Sequence, residues 1–172
     1  MLKGLAILLF ISIAGCTNVK QQPPQSYQNE DIPIALAASY QSWLKLKQLH
    51  GANYSYERDT MSAAGNNSTL LRIEDDIVEY RYFFEWQDGS TPGLSWSESY
   101  AELNLHKQGS PVKNLDQLYR QCETQILNKP LSHYQVTFKV DQFEVLKQCS
   151  YRQKNCSEKC TRGIRIDGLR MN

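Results

Sequence analysis

No G-x-S-x-G elbow, H-E-x-x-H helix, Walker loop or G-x-G-x-x-G turn occurs in the 172 residues. The usual sequence grounds for a serine hydrolase, a zinc protease, a nucleotide hydrolase or a dinucleotide enzyme are therefore missing. No C-x-x-C pair is present, which counts against a thioredoxin-like oxidoreductase. Histidine is scarce, with only His50, His106 and His133, and each lies near an expected element end or in a loop. A surplus of one charge is missing too: 19 basic and 18 acidic side chains leave a formal +1. Nucleic-acid binders carry a basic footprint, and polyanion binders carry basic tracts. Neither is expected here. Nor is there a run of about 20 apolar residues, the length a membrane-crossing helix needs.

What is present begins at the N-terminus. Lys3 supplies a positive n-region, Leu5 to Ile13 an apolar stretch, and Ala14 and Gly15 small residues before Cys16. Ile13-Ala14-Gly15-Cys16 resembles the lipobox of bacterial lipoproteins, in which the cysteine is acylated and becomes the mature N-terminus. An uncleaved anchor fits less well, because the run is interrupted by Ser12 and ends at Cys16. An ordinary secretory site would favour an A-x-A-like pair. The resemblance implies a signal peptide over 1–15 and lipidation at Cys16. One acyl chain binds membranes marginally and several anchor stably. Thr17 follows the cysteine in place of an acid, and by resemblance to Gram-negative sorting this implies the outer membrane, periplasm-facing. Removing 1–15 takes away Lys3 and no acid, so the mature chain is formally neutral.

Residues 16–32 read as a flexible tether. Rich in Gln, Asn and Pro, they carry too little apolar surface to offset the entropy of ordering. Such a segment spans about 20 Å root-mean-square, enough to hold a domain just off a bilayer. Residues 33–172 then form one domain, a size that buries enough surface to fold without a metal.

The spacing predicts a helix over 33–49, with Pro33 in its first turn and Gly51 past its end. Its stripe of Leu36, Tyr40, Trp43 and Lys47 reads as core-facing. Strands are expected over 53–57, 70–73 and 77–83, the last two joined by a Glu74-Asp75-Asp76 turn. Residues 87–112 read as a long connection, and length alone marks them as a candidate functional loop. A second helix is expected over 115–128, with Asn114 as N-cap and Gln117 as capping-box partner. Strands over 134–140, 143–151 and 163–166 complete the chain. The order α-β-β-β-α-β-β-β predicts an α+β fold, an antiparallel sheet with two helices on one face.

Trp43, Asn53-Tyr54-Ser55-Tyr56, the strand ending in Asp76, Leu115-Asp116-Gln117-Leu118-Tyr119 and the hairpin over 134–151 are the relevant landmarks. In this layout residues 36–151 resemble a family of bacterial domains of unknown function found in secreted proteins and lipoproteins. This chain departs from it in having four late cysteines and no early pair. The resemblance implies location and fold, and adds no active site.

Cys122, Cys149, Cys156 and Cys160 are an even set, and an exported protein meets an oxidising compartment. The preferred pairing is Cys122–Cys149, stapling the second helix to the sheet, with Cys156–Cys160 closing a loop. A four-thiolate zinc site is the competing reading, but C-x6-C-x3-C does not match paired knuckles. The Glu74 to Asp76 triplet lacks the ligand set of a calcium loop. No metal or other cofactor is expected. Trp86, Trp96 and Tyr100, with Glu85 and Glu98, suit a recognition surface, since aromatics are enriched where partners bind. Packing of the loop onto the domain is the other reading of these aromatics. The expectation is a non-enzymatic, membrane-anchored lipoprotein that binds an envelope protein or component. A structural or assembly factor, and an enzyme with an unrecognised site, are the alternatives.

Overall fold

Helix α1 (Ile32–His50) begins with Pro33 in its first turn, where the missing N–H removes no bond. The computed structural model describes residues 25–27, 29–62, 65–86 and 92–172, so Cys16 and the signal lie outside the described residues. Ile32, Ala35, Leu36, Ser39 and Trp43 make the buried face of α1, at the i, i+3, i+4 spacing of an amphipathic helix. Gly51 ends it at φ 87°, a conformation open to glycine, and its N–H reaches the Lys47 carbonyl at 2.8 Å.

Strands β1 (Tyr54–Ser62), β2 (Gly65–Glu74), β3 (Ile77–Trp86) and β4 (Pro92–Ser99) follow. After a 3-10 turn at Tyr100–Glu102 comes α2 (Leu115–Gln121), which runs directly into a π-helical turn at Cys122–Ile126. Then come β5 (Tyr134–Val140), β6 (Leu146–Gln153), β7 (Arg162–Arg165) and β8 (Asp167–Met171). The class is α+β with antiparallel pairing throughout, as the pattern of elements predicts. Two strands are added to the expected order. Residues 92–99, read as part of a connection, pair with β3; Pro92 and Gly93 look like turn residues, and their places at the start of an edge strand tolerate both. The final strand returns to pair with β1. The strands also separate into two sheets, β4-β3-β2-β1-β8 and β5-β6-β7.

Local chemistry sets these pairings. Asp75 and Asp76 take φ values of 49° and 64°, the left-handed pair of a two-residue hairpin turn between β2 and β3. Asn114 accepts from the Gln117 N–H while the Gln117 side chain accepts from the Asn114 N–H, each at 2.9 Å, so the expected capping box starts α2. Gln25–Tyr27, within the 16–32 segment expected as a tether, lies along the outer edge of β5. There Ser26 bridges Lys139, and Tyr27 packs its ring 5.8 Å from that of Phe138.

One core serves both sheets. Trp43 of α1 meets Tyr54 of β1 edge to face at 4.8 Å, with Leu71, Leu118, Phe138 and Ile164 among the fully enclosed neighbours. The buried tyrosines each find a partner for the hydroxyl, as burial requires. Tyr54 Oη accepts from the Leu115 N–H at 2.9 Å, and Tyr56 Oη donates to the Lys113 carbonyl. Tyr119 Oη lies 2.7 Å from Ser39 Oγ and accepts from the Leu146 N–H at 2.8 Å. Burial pushes all three phenols above their ordinary value, so they remain protonated. At the rim, Lys47 Nζ joins Asp76 at 2.9 Å to Asp116 at 2.7 Å, and Asp116 also accepts from Trp43 Nε1.

Both expected disulfides are present. Cys122–Cys149 joins the π turn to β6 with Cα atoms 5.8 Å apart, and Cys156–Cys160 closes the β6–β7 connection at 6.0 Å. On chain entropy, the bridge of sequence separation 27 stabilises by about 3–4 kcal/mol and the shorter one by less. Denaturant unfolding of Cys122→Ala/Cys149→Ala against Cys156→Ala/Cys160→Ala is expected to show the larger loss in the first pair.

Candidate functional site

Strand β3 reads Tyr80-Arg81-Tyr82-Phe83-Phe84-Glu85-Trp86, and alternation sends its side chains to two different environments. Arg81 and Phe83 turn inward, level with the enclosed Leu71 and Thr69 of β2. Tyr82, Phe84 and Trp86 share the opposite face. Their rings form a row, Tyr82 to Phe84 at 5.8 Å and Phe84 to Trp86 at 5.3 Å. The strand partners on that face are mostly small or polar: Ser97 opposite Tyr82, Ser95 and Ser68 opposite Phe84, and Asn66 opposite Trp86. Small neighbours do not cover large rings, and the row stands half-buried.

The inward side is organised by one ion pair. Glu98 of β4 lies opposite Arg81, and both side chains are almost wholly enclosed, at 0% and 3% exposure. Arg81 Nε and Nη2 each donate to a Glu98 oxygen at 2.9 Å, the bidentate geometry that a guanidinium offers a carboxylate. The remaining donors of Arg81 hold the chain that follows: Nη1 reaches the Ser110 carbonyl at 3.1 Å and Nη2 the His106 carbonyl at 2.9 Å. Glu98 in turn accepts from the Asn104 N–H at 2.9 Å and the His106 N–H at 2.7 Å. Residues 104–110 are thus strapped over the sheet by a charge pair that joins its edge strand β4 to β3. Burial by itself would raise the Glu98 carboxyl; the bonds from His106, Arg81 and Asn104 outweigh it and hold the group at about 2.

Trp96 belongs to this strap. It stacks on Phe83 at 5.1 Å and on the His106 ring at 4.3 Å, and the Arg81 guanidinium carbon lies 4.7 Å from its centroid. Gly109 closes the strap at φ 81°. A Cβ there would come within 3.0 Å of both Phe83 Cδ2 and Thr69 Oγ1.

The three aromatics singled out as a recognition surface therefore do not come together. Trp86 belongs to the half-buried row, Trp96 packs the strap from the other side of the sheet, and Tyr100 stands exposed on the 3-10 turn. The structure adds Tyr82 and Phe84 to Trp86. Strict alternation along 80–86 was the signal available for that grouping, since every second residue is aromatic. His106 Nδ1 is 3.1 Å from Glu98 Oε1, a carboxylate already engaged by Arg81 and two amides. His133 Nδ1 faces the neighbouring Ser132 hydroxyl at 2.9 Å, and His50 is exposed at the end of α1. The four late cysteines are consumed in disulfides, and among the described residues no group of three or more potential ligands is gathered for a metal. Asp76, from the acidic turn, is taken by Lys47.

Compared with protein families, curated proteins and solved structures, the chain matches none, so its residues alone carry a functional reading. No helix among the described residues is long and apolar enough to cross a membrane.

Glu98→Gln is expected to destabilise by about 3–5 kcal/mol, because it leaves the Arg81 charge enclosed without a counter-charge. The carboxyl is held below its unfolded value of about 4.3, so its contribution is complete above that pH and is lost as pH falls towards about 2. Denaturant unfolding across acid pH is expected to show a shallower acid loss in the variant. Gly109→Ala, which is strained in φ and meets Phe83, is expected to lose about 1–3 kcal/mol in the same measurement.

Proposed function

We propose that this chain is a lipid-anchored envelope protein whose α+β domain binds a protein or other envelope component, without catalysing a reaction. In this reading the chain is cut before Cys16, acylated there, and held at the outer membrane facing the periplasm. Ile13-Ala14-Gly15-Cys16 supports the address, and two disulfides suit an oxidising compartment.

The observation that carries the binding role is the row Tyr82–Phe84–Trp86 on a sheet face whose other positions are mostly small or polar, with Leu70 beside Tyr82. Rigid aromatic rings supply contact area at little entropic cost and are enriched in the centres of protein interfaces, which favours a protein partner. The strap over 104–110 stiffens β3 and β4 from behind, so the row is presented on a fixed surface.

Cys16→Ser is expected to move the protein from the membrane pellet to the soluble fraction while the domain stays folded by circular dichroism. A mutant that still pellets refutes the anchor. A photo-crosslinker at position 84 or 86 is expected to give one discrete adduct in intact envelopes, and the same probe at Ile34, exposed on α1, none. Equal labelling from both positions refutes the aromatic row as the binding surface.

A further inference from the structure

Helix α2 ends in a π-helical turn, a rare conformation found often at functional sites, and the groove beside that turn is lined by cations. A cleft of about 300 Å3 lies where the turn approaches β1 and β7, with Arg58, Gln125, Ile126, Lys129, Tyr151 and Arg162 among its walls. A second hollow of about 280 Å3 runs on along α2. It shares Gln121 and Gln125 with the first and adds Lys113 and Arg120. Among the described residues neither hollow has a carboxylate in its walls, although Glu57 and Asp59 on β1, Asp116 on α2 and Glu123 in the turn belong to the same elements. Among the described residues, none of these five cations is in an ion pair, while Lys47, Arg72, Arg81 and Arg165 each are.

Arg58 is half-buried, as are Lys113 and Lys129. Its Nη2 donates to the Gly163 carbonyl at 3.1 Å, and its Nε is buried with no hydrogen-bond partner. A partly buried charge without a counter-charge carries a desolvation cost. The cost shows locally: burial pushes Arg58 below its ordinary value, and burial together with the Arg58 charge does the same to Lys113. Lys129 is held in place by aromatic faces, its Nζ 4.7 Å from the Tyr151 centroid and 5.9 Å from that of Tyr134. Arg162 stands at the exposed rim, with Nη1 on the Lys159 and Thr161 carbonyls. An anion in the cleft would lie among Arg58, Lys129 and Arg162, all three of which line its walls.

Three cations in the walls of one cleft suit a group of more than one negative charge and several acceptor oxygens, which describes a phosphoryl group better than a lone carboxylate. The apolar wall of Ile126, Pro111 and the Tyr151 ring suits the carbon skeleton that such a group esterifies. We propose that the groove between the π turn, β1 and β7 binds the phosphoryl group of a phosphate ester through Arg58, Lys129 and Arg162.

The site is separate from the aromatic row and does not depend on acylation, so it is tested on the full chain carrying Cys16→Ser. The probes are inorganic phosphate, glycerol 3-phosphate, acetate, and vesicles of phosphatidylglycerol in phosphatidylcholine against phosphatidylcholine alone. The readout is the arginine side-chain Nε–H resonances, with calorimetry for affinity. Saturable binding of phosphate and glycerol 3-phosphate, stronger than acetate and with the Arg58 resonance shifted, supports a soluble ester. Binding to phosphatidylglycerol vesicles alone supports a lipid headgroup. In either case Lys129→Gln and Arg162→Gln are each expected to weaken binding about tenfold, the scale of one lost charged hydrogen bond. Arg72→Gln, exposed on the first sheet, is expected to change nothing. Arg58→Gln should abolish binding; should that variant not fold, Lys129→Gln and Arg162→Gln still decide. No saturable binding of any phosphate probe at low salt, acetate binding as tightly as phosphate, or affinities unchanged in the two rim variants would overturn the proposal.

Discussion

The Cys122–Cys149 bond is the constraint on which most of this domain depends. It fastens the end of α2 to the middle strand of the three-stranded sheet, at a point where both sulfur-bearing residues are fully enclosed. Helix α2 then carries Tyr119, whose hydroxyl reaches Ser39 of α1 on one side and the Leu146 N–H of β6 on the other. Through these contacts a short helix of seven residues connects α1 to the second sheet. The same covalent anchor sits at the first residue of the π turn, so it also holds the wall of the cationic groove.

Enclosed polar groups specify the rest of the arrangement. Hydrophobic contacts alone would tolerate many packings, whereas a tyrosine hydroxyl or a guanidinium accepts few. Tyr54, Tyr56 and Tyr119 tie backbone atoms at 115, 113 and 146 to the core, and Arg81 with Glu98 ties 104–110 to the first sheet. Acids are thereby drawn into structural pairs, Asp76 and Asp116 with Lys47 and Glu98 with Arg81. A chain of balanced total charge can in this way leave two adjoining hollows with five cations and, among the described residues, no carboxylate in their walls. Net charge describes the whole surface and says little about any one cleft.

Much of the fold was legible because the cues were local. The stripe on α1, the Asn114–Gln117 capping box and the alternation of 134–140 each depend on residues within a few positions of one another. Strand β4 was hidden by Pro92 and Gly93, and by a glutamate where an inward apolar residue is normally expected. Glu98 faces inward only because Arg81 lies opposite, 17 residues away and on another strand. The expected grouping of Trp86, Trp96 and Tyr100 failed for a related reason. Nearness along a chain does not place side chains on one face once strands pair and alternate. Of the candidate site, only the alternating aromatics of β3 could have been read in advance. Arg58, Lys129 and Arg162 come from elements too distant in sequence to suggest a common cleft.

The order of residues was sufficient by itself to determine the fold class, the two helices and the tight acidic turn, and it favoured the disulfide pairing found. Those features follow from periodicity, backbone preference and loop length, which are properties of short segments. Only the tertiary structure decided that the strands divide into two sheets, that the last strand closes against the first, and that a glutamate lies in the interior. It also decided which cations share a groove. These outcomes turn on how distant groups solve a common problem of burial and charge, and that problem does not exist until the chain has folded.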